Sequence, residues 1–223
     1  ITILDDNFSS IEKASRYGRT MFKSIRKFLI FQLTVNVAAV LTCFIGSLLG
    51  EPEMMTVIQL LVINLAMDTL AAIAFGSEPA LKEYMNEKPV PRDQSIVTKK
   101  MFTEVCISGL FITALCVCIR FALPAVLNFF GQEALFTAET SGTAFETMRI
   151  YLKSALFATF MMAITFNGFN ARTEHLNVFE HLGRNKNFLI VMGVIFLAQF
   201  IFVTIGGEIL SVTPLTVRTW LVC

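Results

Sequence analysis

Asn64 and Asp68 stand four residues apart inside an apolar stretch that runs from Met54 to Phe75. Four residues is about one helical turn, so both side chains leave the same face of a helix. A carboxylate at mid-membrane depth costs roughly 2.5–3.5 kcal/mol on insertion scales, so such a group faces a protein interior and serves an ion or proton path. Asn36 lies inside the preceding apolar stretch. Three oxygen-bearing side chains meeting inside a membrane are the start of a hard-cation site. Calcium takes about 6–8 oxygens, and one carboxylate with two amides supplies about three or four. Water, backbone carbonyls or a segment ahead of Ile1 would have to supply the rest.

The plainer reading is that the two asparagines only join helices, as intramembrane amides do. It suits Asn36 taken alone. It suits Asp68 poorly, because no Lys or Arg lies inside the first two apolar stretches. Gln32, Thr34, Gln59, Thr69, Thr159 and Gln199 are weaker candidates, read as packing or hydrogen-bonding positions. Arg120 and Lys153, near the outer ends of later stretches, are expected to snorkel toward water.

Positioning those groups requires membrane helices. The chain has 223 residues, 55% hydrophobic, with a mean hydropathy of +0.66. Five stretches are long enough to span: about 29–49, 54–75, 101–123, 151–167 (extended by a start near Phe145) and 188–205. Residues 214–223 read as the start of a further span, so the chain is expected to be part of a longer protein. Six of the 18 Lys+Arg precede residue 29, five lie between Phe75 and Met101, and three (Arg172, Arg184, Lys186) follow the fourth stretch. Gly50–Met55 holds two Glu and no cation, and 124–148 has no Lys or Arg. By the positive-inside rule the N-terminus and the loops 76–100 and 168–187 are cytoplasmic.

Ser9-Ser10-Ile11-Glu12 has capping-box spacing, and apolar residues then recur at three- and four-residue steps. This predicts one helix from about Ser10 to Leu48, about 60 Å long, or twice the hydrocarbon thickness. Its first half would stand in the cytoplasm as a stalk, and Ile1–Leu4 reads as a strand leaving a soluble domain. Asn36 lies seven residues into the first span and Asp68 seven residues from the end of the second, each about 10 Å below the cytoplasmic boundary. The connecting turn is short, so the two helices are antiparallel neighbours and the three side chains can meet. Gly46-x-x-x-Gly50 is a helix-packing signal. The five Cys form no CxxC pair; Cys116 and Cys118 point to different faces, and His175 and His181 suit a loop surface. The fold class is an all-α membrane protein, a polytopic helical bundle with a long stalk on its first helix.

Several ordered motifs carry a resemblance. Asp5-Asp6-Asn7-Phe8, Gly18-Arg19, Ser24-Ile25-Arg26-Lys27-Phe28-Leu29 and Gln32-Leu33-Thr34-Val35-Asn36-Val37 are followed by Asn64-Leu65-Ala66-Met67-Asp68-Thr69-Leu70-Ala71 and Glu78-Pro79. Phe166-Asn167, Asn170-Ala171-Arg172, Asn177-Val178-Phe179-Glu180, Gly206-Gly207 and Pro214-Leu215 complete the series. Together they resemble P-type calcium ATPases of the plasma-membrane type. The resemblance implies membrane helices five to nine plus the start of ten. It implies that 1–8 end the phosphorylation domain, 9–28 form the stalk of helix five, and 29–223 belong to the transmembrane domain. It places Asn36, Asn64 and Asp68 on calcium-binding positions, with a further acidic ligand on helix four. ATP and magnesium would act only through domains outside this chain, which holds no ATP-hydrolysing residues.

Two-site calcium pumps use a Glu where Ala39 stands and a Thr where Met67 stands, so the resemblance implies a single site. The expected partners are the lipid bilayer, the calcium ion and the N-terminal half of the same pump. No nucleic acid is expected, and the state expected is monomeric. The implied location is a plasma or bacterial inner membrane. Manganese or another divalent cation is the nearest alternative cargo. A passive carrier or structural membrane module is the alternative from another class, and the stalk argues against it.

Overall fold

The computed structural model describes residues 7–51, 53–91, 94–129, 143–173 and 185–223. Among these, every regular element is helical: α1 (Phe8–Leu48), α2 (Val57–Gly76), α3 (Lys99–Phe129), α4 (Thr143–Arg172), α5 (Lys186–Ile205), α6 (Gly207–Leu210) and α7 (Val217–Val222). Helices α1 to α5 are each long and apolar enough to cross a membrane. The chain is an integral, multi-pass helical bundle, as the hydropathy pattern predicts. Ile1–Leu4, His175, His181 and Asn177–Glu180 lie outside the described residues.

Helix α1 is continuous over 41 residues. Its cap differs from the predicted Ser–Glu box: the Asn7 side chain accepts from Ser9 N at 3.0 Å, and the helix starts at Phe8. Asn caps as well as Ser and comes first in the chain, so both serines fall inside the helix. The stalk turns its polar side inward. Thr20, Ser24 and Lys27 are buried, while Ile11, Tyr17, Met21 and Ile25 are exposed.

The buried side faces the connection after α2. Arg19 Nη1 donates to the carbonyls of Tyr84, Met85 and Glu87 at 2.8, 3.3 and 2.7 Å. Lys23 pairs with Glu87, and Lys27 pairs with Glu78 at 2.7 Å with both side chains nearly buried. The short 3-10 turn Lys82–Met85 is thereby fixed to the stalk.

At the other end of α1, the expected Gly46–Gly50 packing pair divides into two roles. A Cβ on Gly46 would come within 1.9 Å of Met54 Cγ, so this glycine permits close packing of the turn. Gly50 adopts φ 86° and reverses the chain, and Glu51 N bonds back to Gly46 O at 2.9 Å. Arg120 and Lys153 do not merely snorkel. They pair with the acids of this turn, Glu51 at 2.6 Å and Glu53 at 2.9 Å. The lysine holds the exposed Glu53 carboxyl below its ordinary value of 4.5, chiefly through the hydrogen bond.

Helix α4 forms the centre. Its central stretch is the least apolar of the five yet the most buried, at 72%. Inward placement explains this, because Ser154, Thr159 and Thr165 return their hydroxyls to carbonyls one turn back and need no water. Phe157, Phe160, Met161 and Ile164 fill the core around it. Helix α3 continues through Pro124 to Phe129, past the predicted end of that span. Helix α5 stops at Gly206, as expected from Gly206-Gly207. Tyr151 Oη on α4 then meets the hydroxyls of Thr216 and Thr219 and seats the start of α7.

Candidate ion site

Helices α1 and α2 are antiparallel neighbours across the Gly50 turn, and their contact is fixed near the stalk. Phe31 meets Phe75 with ring centroids 5.8 Å apart, and Phe75 meets Phe188 at the same separation. The buried Lys27–Glu78 pair lies beside them in sequence. Ile63, Met67 and Ala71 of α2 and Phe31, Val35 and Ala38 of α1 form the common core. These contacts set the register in which Gln32 of α1 faces Asp68 of α2.

Helix α2 is not regular. A π-helical turn, Ile63–Met67, separates the α-helical segments Val57–Val62 and Asp68–Gly76. Such turns, with bonds from i to i+5, are rare and recur at functional sites. Asn64 lies within the turn and Asp68 follows it directly. The spacing rule for a regular turn therefore does not apply between them. Asn64 is exposed, whereas Asp68 is half-buried and turned toward α1.

Asp68 Oδ2 accepts from Gln32 Nε2 at 3.0 Å. Asp68 Oδ1 is shielded from solvent and has no hydrogen-bond partner. A buried carboxylate oxygen without a donor is costly, and either a cation or a proton would satisfy it. Asn36 is exposed on α1, at the four-residue spacing that continues through exposed Val40, Phe44 and Leu48. Neither the Asn36 nor the Asn64 side chain makes a hydrogen bond among the described residues. The structure thus joins α1 to Asp68 through Gln32 and leaves both asparagines open on the surface of this chain.

The other polar positions are occupied elsewhere. Thr34, Thr69 and Thr159 bond carbonyls of their own helices at 2.8, 2.6 and 2.9 Å. Gln59 donates to Leu210 O at 2.9 Å, and Gln199 donates to Thr165 Oγ1. Sequence reasoning grouped Gln32 with these and so missed its contact. The available signal was its place one turn before Asn36. Nothing in 57–76 signals the π turn, since neither Pro nor Gly lies near Asn64. Met67 is buried among apolar residues and Ala39 is partly buried, and neither side chain carries an oxygen. Among the described residues no three His, Cys, Asp or Glu side chains come together.

A five-span bundle with a buried, half-partnered carboxylate invites comparison with known membrane proteins. Residues 52–223 match the family model described as cation transporting ATPase, C-terminus. The chain belongs to this family. Over its full length it is 36% identical to a plasma membrane calcium-transporting ATPase of Caenorhabditis elegans, of which it covers 17%. It is 34% identical, again over its full length, to plasma membrane calcium-transporting ATPase 3 of Homo sapiens, covering 18% of that protein. Over 99% of its length it is 33% identical to a plasma membrane-type calcium-transporting ATPase of Arabidopsis thaliana, covering 19%. The chain thus spans about a fifth of the length of these relatives and matches their membrane part.

Proposed function

We propose that this chain is the C-terminal half of the transmembrane domain of an ATP-driven calcium export pump, and that it contributes ligands to a single intramembrane calcium site. The observation that carries the reading is Asp68: one carboxylate oxygen is held by α1, and the other is buried and unpartnered beside a π turn. Asp68 supplies the charge, and Asn36 and Asn64 supply neutral amide oxygens. Both asparagines are exposed on this chain, and a further element carrying the remaining ligands would complete about 6–8 oxygens. Calcium is favoured as cargo because the relatives similar to this chain are named for its transport.

The orientation that fits the cation distribution puts the stalk and the loops 76–100 and 168–187 in the cytoplasm. In this reading residues 1–8 end the phosphorylation domain, 9–28 are the stalk, and 29–223 are the membrane part. ATP and magnesium act in parts of the longer protein. The stalk, fixed to the 77–91 connection by Arg19, Lys23 and Lys27, supports a mechanical role, since movement of α1 would move Gln32 and the end of α2 together.

The test is Asp68→Asn in the full-length protein. Calcium-dependent phosphorylation by ATP is expected to be lost, because the site loses the one carboxylate this chain provides. Phosphorylation from inorganic phosphate, which requires no bound calcium, is expected to persist. Normal calcium affinity in that variant would refute the assignment.

A further inference from the structure

We infer that Gln32 is a positioning residue of the ion site, holding Asp68 so that a single carboxylate oxygen, Oδ1, is presented to the cation. The inference rests on the reading of Asp68 as an ion ligand. A carboxylate only accepts hydrogen bonds, so the amide atom facing it must be the donor, Nε2. That bond is 3.0 Å long and crosses from α1 to α2. The opposite oxygen, Oδ1, is buried and lacks any partner. The amide therefore orients the carboxylate through Oδ2 and leaves Oδ1 as the oxygen without a donor, which favours coordination through Oδ1. Gln32 is itself firmly aimed. Its neighbour Phe31 is buried against Phe75, and five residues earlier Lys27 is locked to Glu78. Thr34, Gln59, Thr69, Thr159 and Gln199 direct their donors to carbonyls or to another hydroxyl. Of these intramembrane polar residues, Gln32 is the one whose donor meets Asp68.

The test uses the full-length protein with Gln32→Met, which keeps the side-chain length and removes the donor. The calcium concentration for half-maximal phosphorylation by ATP should rise about tenfold, the scale of a hydrogen bond to a charged group. The maximal phosphoenzyme level and phosphorylation from inorganic phosphate should be unchanged. Gln32→Asn withdraws the amide by one methylene, about 1.5 Å, and should give the same shift. It decides the matter if the Met variant fails to assemble. Thr34→Val on the same helix, whose hydroxyl bonds its own carbonyl, should leave the calcium requirement unchanged. A normal calcium requirement in both Gln32 variants, alongside loss of calcium response in Asp68→Asn, would overturn the inference and leave the site standing. A lower maximal level at an unchanged calcium requirement would also overturn it, by assigning Gln32 a structural role. A normal calcium response in Asp68→Asn would overturn site and inference together.

Discussion

The stalk joint and the Asp68 site both build on α1, the first against the connection that follows α2 and the second against α2 itself. In the joint every group finds its complement. Arg19 takes three carbonyls, Lys23 takes Glu87, and Lys27 takes both oxygens of Glu78. At Asp68 only half of the carboxylate is satisfied, the two asparagines are open, and the helix is wound in a rare way. A closed set of partners makes a rigid connection. An incomplete one leaves a buried carboxylate oxygen without a partner, and the proposed ion site rests on that oxygen.

Breaking the joint should produce the largest change in stability. Lys27→Met leaves Glu78 buried and unpaired, which costs about 3–5 kcal/mol for a buried pair. The thermal inactivation midpoint of the solubilised full-length protein should fall sharply. Replacing Glu78 with Leu as well should recover most of the loss, because a buried pair exchanged for apolar side chains is often neutral. No recovery would mean that the pair is needed for more than mutual neutralisation.

A smaller effect is expected where packing, not charge, sets the geometry. Gly46→Ala places a methyl group within 1.9 Å of Met54 Cγ, so the turn must shift. Overpacking of this kind costs about 1–3 kcal/mol. The same midpoint measurement should show it, and an unchanged midpoint would mean that Met54 can move aside freely.

The Lys153–Glu53 pair gives the smallest effect. Glu53 is exposed, and Lys153 lowers its carboxyl from the ordinary value of 4.5. A depressed folded-state value means that the pair's contribution is fully present above 4.5 and disappears as pH falls through the lower folded value. The stability difference between the parent protein and Lys153→Met should therefore be small at neutral pH and vanish well below 4.5. A difference that grew on acidification would contradict the pairing.

Much of this arrangement could be read in the sequence, for physical reasons that differ by region. Apolar runs of about 20 residues and the clustering of Lys and Arg gave the spans and the stalk, because the bilayer allows few other solutions. Asp68 stood out in the sequence because an intramembrane carboxylate is costly, and its role as an ion ligand is the proposal made above. Asn7 displaced the predicted Ser–Glu cap because several residues compete for one position. The Arg120–Glu51 and Lys153–Glu53 pairs were not legible, since each joins residues far apart in the chain. Gln32 was seen but ranked with residues of the same type, because which amide reaches the carboxylate depends on helix register. The π turn left no mark in residue type at all.

The central claim is one calcium site built on Asn36, Asn64 and Asp68, with Ala39 and Met67 offering no oxygen for a second. Occlusion of radioactive calcium in the phosphorylated full-length protein tests it most directly. One ion per phosphoenzyme is expected, lost on substituting Asn36, Asn64 or Asp68, and retained at saturating calcium in Gln32→Met and Thr159→Val. Two ions per phosphoenzyme, or one that survives Asp68→Asn, would contradict it.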